Sequence, residues 1–141
     1  MLGKHARYEI VEAIREAERG TRGEIRVHVK GRCKDAMKEA KRQFFKLRMQ
    51  RTKERNGVLI FVALQSRHFA IVGDQAMHAK VGEDFWNAAR DAMQAHFEKN
   101  ELVTGIVAGV RRVGEKLKQH FPAAENNPNE LPDKVSGSRC R

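Results

Sequence analysis

The sequence has no long hydrophobic run, which argues against a membrane-spanning helix. Its longest apolar stretch covers residues 58–64 and has the length of a strand, whereas a spanning helix needs roughly 20 apolar residues. The N-terminus also lacks the apolar core of a signal peptide, because residues 1–5 lead directly into a charged amphipathic segment. We therefore expect a cytoplasmic protein without a transmembrane segment.

Cysteine and metal-binding motifs are equally scarce. The two cysteines, Cys33 and Cys140, form no Cys-x-x-Cys pair, and the six histidines show no His-Glu-x-x-His or similar ligand spacing. A disulfide framework and a zinc site are therefore not predicted, and no pattern marks a catalytic nucleophile. We assign no catalytic residue and no metal ligand.

Proline is absent from the first 121 residues. All three prolines lie in residues 122–141, together with several asparagines and no hydrophobic periodicity. This composition predicts one domain over residues 1–121 and a flexible tail over residues 122–141. Within the tail, residues 129–133 are the one segment that we consider able to dock.

Hydrophobic periodicity predicts seven elements in residues 1–121. Spacings of three and four predict helices, strict alternation over residues 24–30 predicts a strand with one well-buried face, and the apolar run predicts a central strand. In the last helix, Gly105 and Gly109 predict close packing against a neighbouring element. The predicted helices cover residues 5–19, 34–50, 83–98 and 102–119, and the predicted strands cover residues 24–30, 58–64 and 68–73.

The order of these elements predicts an α/β fold. The helix between the first two strands implies a right-handed parallel crossover, and the short break at residues 65–67 implies an antiparallel hairpin. The central strand needs helices on both faces. We expect a three-layer α/β/α sandwich with a small mixed sheet in the order α-β-α-β-β-α-α.

The positive charge is concentrated in one segment. The chain has a formal net charge of +10, and residues 32–55 hold ten basic and three acidic residues. The basic helix offers Lys34, Lys38, Lys41 and Arg42 as candidate anion-binding residues, for nucleic-acid phosphates, lipid headgroups or an acidic protein. A solvated face with no ligand is the alternative. Phe44 and Phe45 are expected in the core, so no aromatic platform for nucleic acid is predicted.

The predicted topology also gathers several loops at one edge of the sheet. The starts of the first two strands and the end of the third meet there, where glycines allow close approach and Asp74 can act as an acid, a base or an oxygen ligand. Tight turns with Asn56 and Asp74 as caps are the structural alternative. The candidate ligand-binding residues at this edge are Thr21, Arg22, Gly23, Asn56, Gly57, Gly73, Asp74 and His78.

The junctions between these elements resemble those of the TPM domain family. The resemblance covers about residues 5–121, and its landmarks are TRGEI at 21–25, NGVLI at 56–60, SRHF at 66–69, GD at 73–74 and the Gly-containing helix at 101–109. The tail resembles that of short bacterial members that stand alone. The family fold, a mixed sheet between helices, agrees with the interpretation above.

The resemblance implies several possible activities. Relatives in the thylakoid lumen are linked to photosystem II repair and proposed to be acid phosphatases, some members bind calcium, and bacterial members often accompany LemA-family membrane proteins. Here, however, Met77 or His78 stands where many members have a glutamate. Since calcium prefers six to eight oxygen ligands, we predict no cofactor from these residues, and calcium stays an alternative that only the family resemblance implies.

Our leading hypothesis is therefore a TPM-type accessory or binding domain that acts with a protein partner. The family resemblance suggests a LemA-family membrane protein as that partner. This chain would then contact the membrane peripherally and take part in membrane-protein maintenance. The first alternative is a metal-dependent, acid-phosphatase-like hydrolase at the Asp74 edge. The second is non-specific binding of anions or nucleic acid through the basic helix.

Overall fold

The computed structural model describes residues 2–123 and 135–137, which form four helices, a short 3₁₀ helix and four strands. The helices are α1 (Lys4–Glu18), α2 (Ala36–Lys46), α3 (Gln75–Phe97) and α4 (Leu102–His120), with the 3₁₀ helix at Met49–Arg51. The strands are β1 (Glu24–Lys30), β2 (Gly57–Ala63), β3 (His68–Gly73) and β4 (Val135–Gly137). None of the helices in these ranges has both the length and the apolar character needed to cross a bilayer.

The sheet has the order β3-β2-β1-β4. Strands β1 and β2 are parallel and β2 and β3 are antiparallel, which confirms the predicted strand directions and the hairpin. The right-handedness of the crossover stays a prediction. Strand β4 runs parallel to β1 and was not predicted. The segment at 129–133 lies outside the described residues, and the domain boundary at residue 121 stays a prediction.

Strand β2 lies at the centre of three layers, and all seven of its residues are buried. On one face, Val58, Ile60 and Val62 pack into a core shared with α1, α3 and α4. On the other face, Leu59 and Phe61 contact residues of α2 and the 3₁₀ helix. The α/β sandwich predicted from the apolar run is confirmed.

Two helix boundaries differ from the prediction by more than two residues. Helix α2 ends at Lys46 because Arg48 adopts the left-handed conformation (φ 60°), and the 3₁₀ helix follows. Helix α3 begins at Gln75, within a predicted loop, because the Asp74 side chain accepts a hydrogen bond from the Gln75 N–H (2.8 Å) and caps the helix. Gly82 interrupts α3 with a φ of 73°.

The two glycines of α4 do mediate close packing, as predicted. A Cβ atom at Gly105 would lie 2.5 Å from the Phe97 ring, and one at Gly109 would lie 2.6 Å from Met93 Sδ. Both contacts are with α3. The spacing of four residues therefore serves helix–helix packing within the domain.

The polar face of β1 is buried, contrary to the prediction of a single buried face. Glu24, Arg26 and His28 are 2%, 8% and 4% exposed. His28 stacks on Phe61, and Lys30 forms an ion pair with Glu39 of α2 (3.2 Å). Sequence alternation missed this burial because α2 supplies polar partners as well as apolar ones.

Burial of His28 leads to a pH prediction. Burial, reinforced by the positive charges of Arg26 and Lys30, lowers the pKa of His28 to about 4, although Glu39 acts in the opposite direction. In the unfolded chain the pKa is about 6.5, so between pH 6.5 and 4 the unfolded state binds more protons. We expect the free energy of unfolding, measured by urea denaturation, to fall as the pH decreases through this window.

Two variants control this experiment. His28→Gln should flatten the pH dependence between pH 6.5 and 4, whereas His5→Gln, on an exposed histidine of α1, should leave it unchanged. Glu39 also contributes to the pH dependence, because its hydrogen bond with Arg42 is the main cause that lowers its pKa to about 2. The stability that the ionised Glu39 contributes is lost only below about pH 4.5, so it does not affect the comparison between pH 7 and pH 5. Equal stability of the parent protein at pH 7 and pH 5 would contradict the prediction.

Candidate functional site

The edge predicted from topology exists. In the sheet register Gly57 lies opposite Glu24, and Val58 lies opposite Gly73. The Asp74 N–H donates to the Gly57 carbonyl (2.9 Å). Whether the predicted residues at this edge bind a ligand stays a prediction, and their local contacts determine what they can do.

Asp74 has a defined structural role at this edge. Its two carboxylate oxygens accept hydrogen bonds from Arg55 Nε (2.7 Å) and Nη2 (2.9 Å), and one also accepts the Gln75 N–H. The hydrogen bonding between Arg55 and Asp74 raises the pKa of Arg55. The Asp74 side chain is only 6% exposed. The carboxylate is thus held as a bidentate partner and a helix cap.

The three edge glycines are needed for packing. A Cβ atom at Gly73 would lie 2.5 Å from the Trp86 ring, and one at Gly23 would lie 2.4 Å from Leu117. At Gly57 the nearest atom would be the Met49 carbonyl oxygen, at 3.1 Å. The space that glycine leaves at this edge is filled by the protein's own side chains and backbone.

Thr21 and Arg22 hold the end of α4. The Thr21 hydroxyl donates to the Leu117 carbonyl (3.0 Å), and Arg22 donates to both Glu54 oxygens (2.7 and 3.0 Å) and to the Pro122 carbonyl. Asn56 is fully buried, and its side-chain nitrogen and oxygen have no partner among the described residues. Of the edge residues, only Asn56 keeps an unused buried polar group.

The described residues do not fit a calcium site. In the described ranges, no group of three or more His, Cys, Asp and Glu side chains is placed to hold a metal ion. Both Asp74 oxygens bond to Arg55, and the Asn56 amide supplies a single neutral oxygen where calcium needs six to eight. That the protein works without a cofactor stays a prediction.

The basic helix carries most of the predicted anion-binding residues on an exposed face. Lys34, Lys38 and Lys41 are exposed, and none has an ion pair within residues 2–123. Arg42 instead forms an ion pair with Glu39 (2.8 Å), so its charge is partly neutralised. Three of the four candidates therefore have free positive charges.

Phe45 lies on this exposed face, and its expected place in the core was wrong. Its neighbour Phe44 is 4% exposed and packs on Leu59, whereas Phe45 is 62% exposed. A helix turns about 100° per residue, so Phe45 points in a different direction from Phe44 and falls outside the buried stripe. We define the basic α2 face as Lys38, Lys41, Arg42, Phe45 and Lys46, all of them exposed.

A groove follows β3 between α2 and α3. Two separate surface cavities of about 240 and 440 Å³ lie there, the second of them shallow, and we call them together the β3 groove. The first cavity is lined by Met37 and Lys41 of α2, Ile71, Val72 and Gly73 of β3, and His78, Glu83, Trp86 and Arg90 of α3. The second is lined by Lys34, Asp35 and Ala36 before and within α2, Arg67, His68 and Phe69 of the hairpin, and Gln94 of α3.

The β3 groove joins two sets of residues that the sequence placed apart. Gly73 and His78 belong to the predicted edge set, and Lys34 and Lys41 to the predicted anion-binding set. Sequence reasoning missed Arg90, which the helical stripe of Trp86, Ala89 and Met93 could have placed beside the core.

His78 is oriented by its neighbours in the groove. The Trp86 indole N–H donates to His78 Nδ1 (3.0 Å), and the two rings are nearly parallel. His78 Nε2 lies 3.4 Å from Glu83, so the neutral ring carries its proton on Nε2. Glu83 is thereby partly engaged, and Lys41 and Arg90 supply the remaining charge of this cavity.

These observations define a small three-layer α/β sandwich with a basic groove along one edge strand. The chain belongs to the TPM domain family, whose model matches residues 1–116. The chain is similar to the BA42 protein of the psychrophilic bacterium Bizionia argentinensis, solved by NMR, with 37% identity, a TM-score of 0.91, and coverage of 98% of this chain and 96% of that one.

A second solved structure supports the fold alone. The N-terminal domain of the cg2496 protein from Corynebacterium glutamicum matches with a TM-score of 0.65 and 15% identity, over 83% of this chain and 74% of that one. No curated protein matches the sequence.

Proposed function

We propose that the chain is a TPM-type binding domain that docks an acidic protein partner on the basic α2 face. The observation that supports this is the 62% exposure of Phe45 among lysines that have no ion-pair partner in the described residues. Aromatic side chains are enriched in interface cores, and charges around them guide the encounter.

The partner's chemistry follows from this surface. Lys38, Lys41 and Arg42 precede Phe45 by seven, four and three residues, so they lie on its side of α2. A complementary surface would present carboxylates beside an apolar recess. The candidate partner that the family resemblance suggests is a LemA-family membrane protein. Action in the cytoplasm, with a role in membrane-protein maintenance, forms part of the proposal. Calcium has no role in this mode of binding.

A hydrolase is the less well supported candidate. Catalysis at the edge would need the Asp74 carboxylate to act on substrate or metal, yet both of its oxygens bond to Arg55. Binding of nucleic acid needs phosphate contacts along a strand and, for single strands, several stacking aromatics. Phe45 and Tyr8 are the large exposed hydrophobic residues of the described chain, and only Phe45 lies on the basic face.

Site-specific photo-crosslinking in the native cell tests the proposal. A photoreactive phenylalanine analogue at position 45 is expected to capture a protein in a nuclease-resistant adduct. The same analogue at position 8 should not, although Tyr8 is equally exposed at 63% and lies on α1, on the opposite face of the sheet. The captured protein, purified, should bind the parent chain roughly tenfold more tightly than Lys38→Glu, since charge reversal replaces attraction with repulsion.

Two results would contradict this function. A nuclease-sensitive adduct at position 45 would favour nucleic acid as the partner. Calcium-dependent hydrolysis of p-nitrophenyl phosphate that is lost in Asp74→Asn would favour the hydrolase, because asparagine keeps the helix cap but removes the charge.

A further inference from the structure

Strands β3 and β4 are the two edge strands of the described sheet. Strand β4 pairs with β1 at one end of the order β3-β2-β1-β4, whereas β3 pairs only with β2 among the described strands. An edge strand presents unpaired N–H and C=O groups that another extended chain can use. Strand β3 therefore has one side without a strand partner among the described residues, although Ile71 at its centre is only 4% exposed.

The hydrogen bond between the Asp74 N–H and the Gly57 carbonyl fixes which groups are unpaired. In an antiparallel ladder, hydrogen-bonded pairs alternate with non-bonded pairs. With Asp74 bonded to Gly57, the register makes Val72 and Ala70 the next bonded residues. Phe69, Ile71 and Gly73 consequently direct their N–H and C=O groups away from β2, and no hydrogen bond to them occurs within the described ranges.

The space beside these groups is the β3 groove. Its two cavities follow the strand, with Ile71 and Gly73 lining the first and Phe69 lining the second. Helix α2 forms one wall and α3 the other. Five residues of an extended chain span about 17 Å, which matches the distance covered by Phe69 to Gly73.

The walls of the groove favour an acidic occupant. Lys34 and Lys41 stand on the α2 side and Arg90 on the α3 side. The two acidic residues of the lining are already engaged, since Asp35 caps α2 through the Lys38 N–H (3.1 Å) and Glu83 lies near His78. The same positive charges disfavour a second copy of this chain, which would bring its own lysines to the interface.

We infer that an acidic, extended segment of the protein partner adds to β3 as a further strand of the sheet. This inference rests on the proposed function and specifies its binding mode. Main-chain hydrogen bonds to Phe69, Ile71 and Gly73 supply affinity that does not depend on sequence, and alternate carboxylates paired with Lys34 and Lys41 select the partner.

A capped eight-residue peptide that alternates glutamate and valine is the probe. Isotope-labelled full-length protein is titrated with it, and amide hydrogen exchange is followed by NMR. The amides of Phe69, Ile71 and Gly73 are expected to become protected on binding. Ala70 and Val72, which already bond to β2, serve as internal controls and should change little.

Backbone methylation separates strand addition from simple charge attraction. The same peptide, N-methylated at alternate residues on its pairing edge, keeps every carboxylate but loses about three hydrogen bonds. We expect it to bind at least tenfold more weakly. Lys41→Glu should weaken the unmodified peptide roughly five- to tenfold, and Lys4→Glu, on exposed α1, should not.

Several outcomes would overturn the inference. If the methylated peptide bound as tightly as the unmodified one, strand addition would be rejected. If Lys38→Glu still weakened binding of the captured partner, docking on the basic α2 face would nevertheless stand. Protection of the Phe69 and Ile71 amides from hydrogen exchange in the free protein would show that this side of β3 is already occupied. If dilution removed the protection, the occupant would be a second copy of the chain. If dilution did not remove it, the occupant would be a segment of the same chain. Absence of any peptide binding would also reject the strand-addition model, whereas the docking proposal would still be judged by the crosslink at position 45.

Discussion

Phe61→Ala is expected to lower the free energy of unfolding by about 3–5 kcal/mol. Phe61 is fully buried at the centre of β2, where it packs on Ala40 and Ala70 and stacks on His28. Truncation removes the apolar contacts of the ring and leaves a cavity that the rigid sheet cannot close. Urea denaturation monitored by circular dichroism measures the change.

Phe45→Ala is the matched control, since it removes the same atoms from a side chain that is 62% exposed. We expect its effect on stability to stay within about 0.5 kcal/mol. If the two variants lost equal stability, the placement of β2 between two helical layers would be wrong. The pair also separates fold from function, because only Phe45→Ala should weaken partner binding.

Gly73→Ala is expected to cost about 1–3 kcal/mol, the second largest effect that we predict. The added Cβ atom would lie 2.5 Å from the ring of Trp86, which is 3% exposed and packed between α3 and the sheet. The indole N–H also donates to His78 Nδ1, so a shift of the ring disturbs this hydrogen bond as well as its packing. Either the ring or the end of β3 must therefore shift.

Gly20→Ala controls for the glycine substitution itself. Its Cβ atom would come equally close to a side chain, 2.7 Å from Lys118 Cε, but Lys118 is exposed and flexible. We expect a loss below about 0.5 kcal/mol there, measured by the same denaturation experiment. A neutral Gly73→Ala variant would mean that Gly73 is free of Trp86 and available for a ligand.

The fold was predictable because its signals are local and periodic. The unbroken apolar run around Phe61 required cover on both faces, and the helix between β1 and β2 required a parallel crossover. Strand β4 could not be predicted in the same way. It has three residues, Val-Ser-Gly, which show no measurable alternation, and its pairing with β1 is non-local.

The site was less predictable because its residues serve contacts that spacing does not reveal. Asp74 and its neighbours were correctly gathered at one edge, but only coordinates show that Arg55 takes both carboxylate oxygens. Phe45 could have been placed from the sequence, since it lies off the stripe formed by Met37, Ala40 and Phe44. The groove could not, because it depends on how α2 and α3 flank the edge of β3.

The parallel pairing of Val135 with Val27 has a consequence for biosynthesis. Roughly 100 residues separate the two strands along the chain, and contacts of such high sequence separation form late because a large loop must close first. While the polypeptide emerges from the ribosome, the β1 side of the sheet therefore remains uncovered until residue 137 has been made. During that interval both borders of the sheet lack a strand partner, and unpaired strand edges favour aggregation.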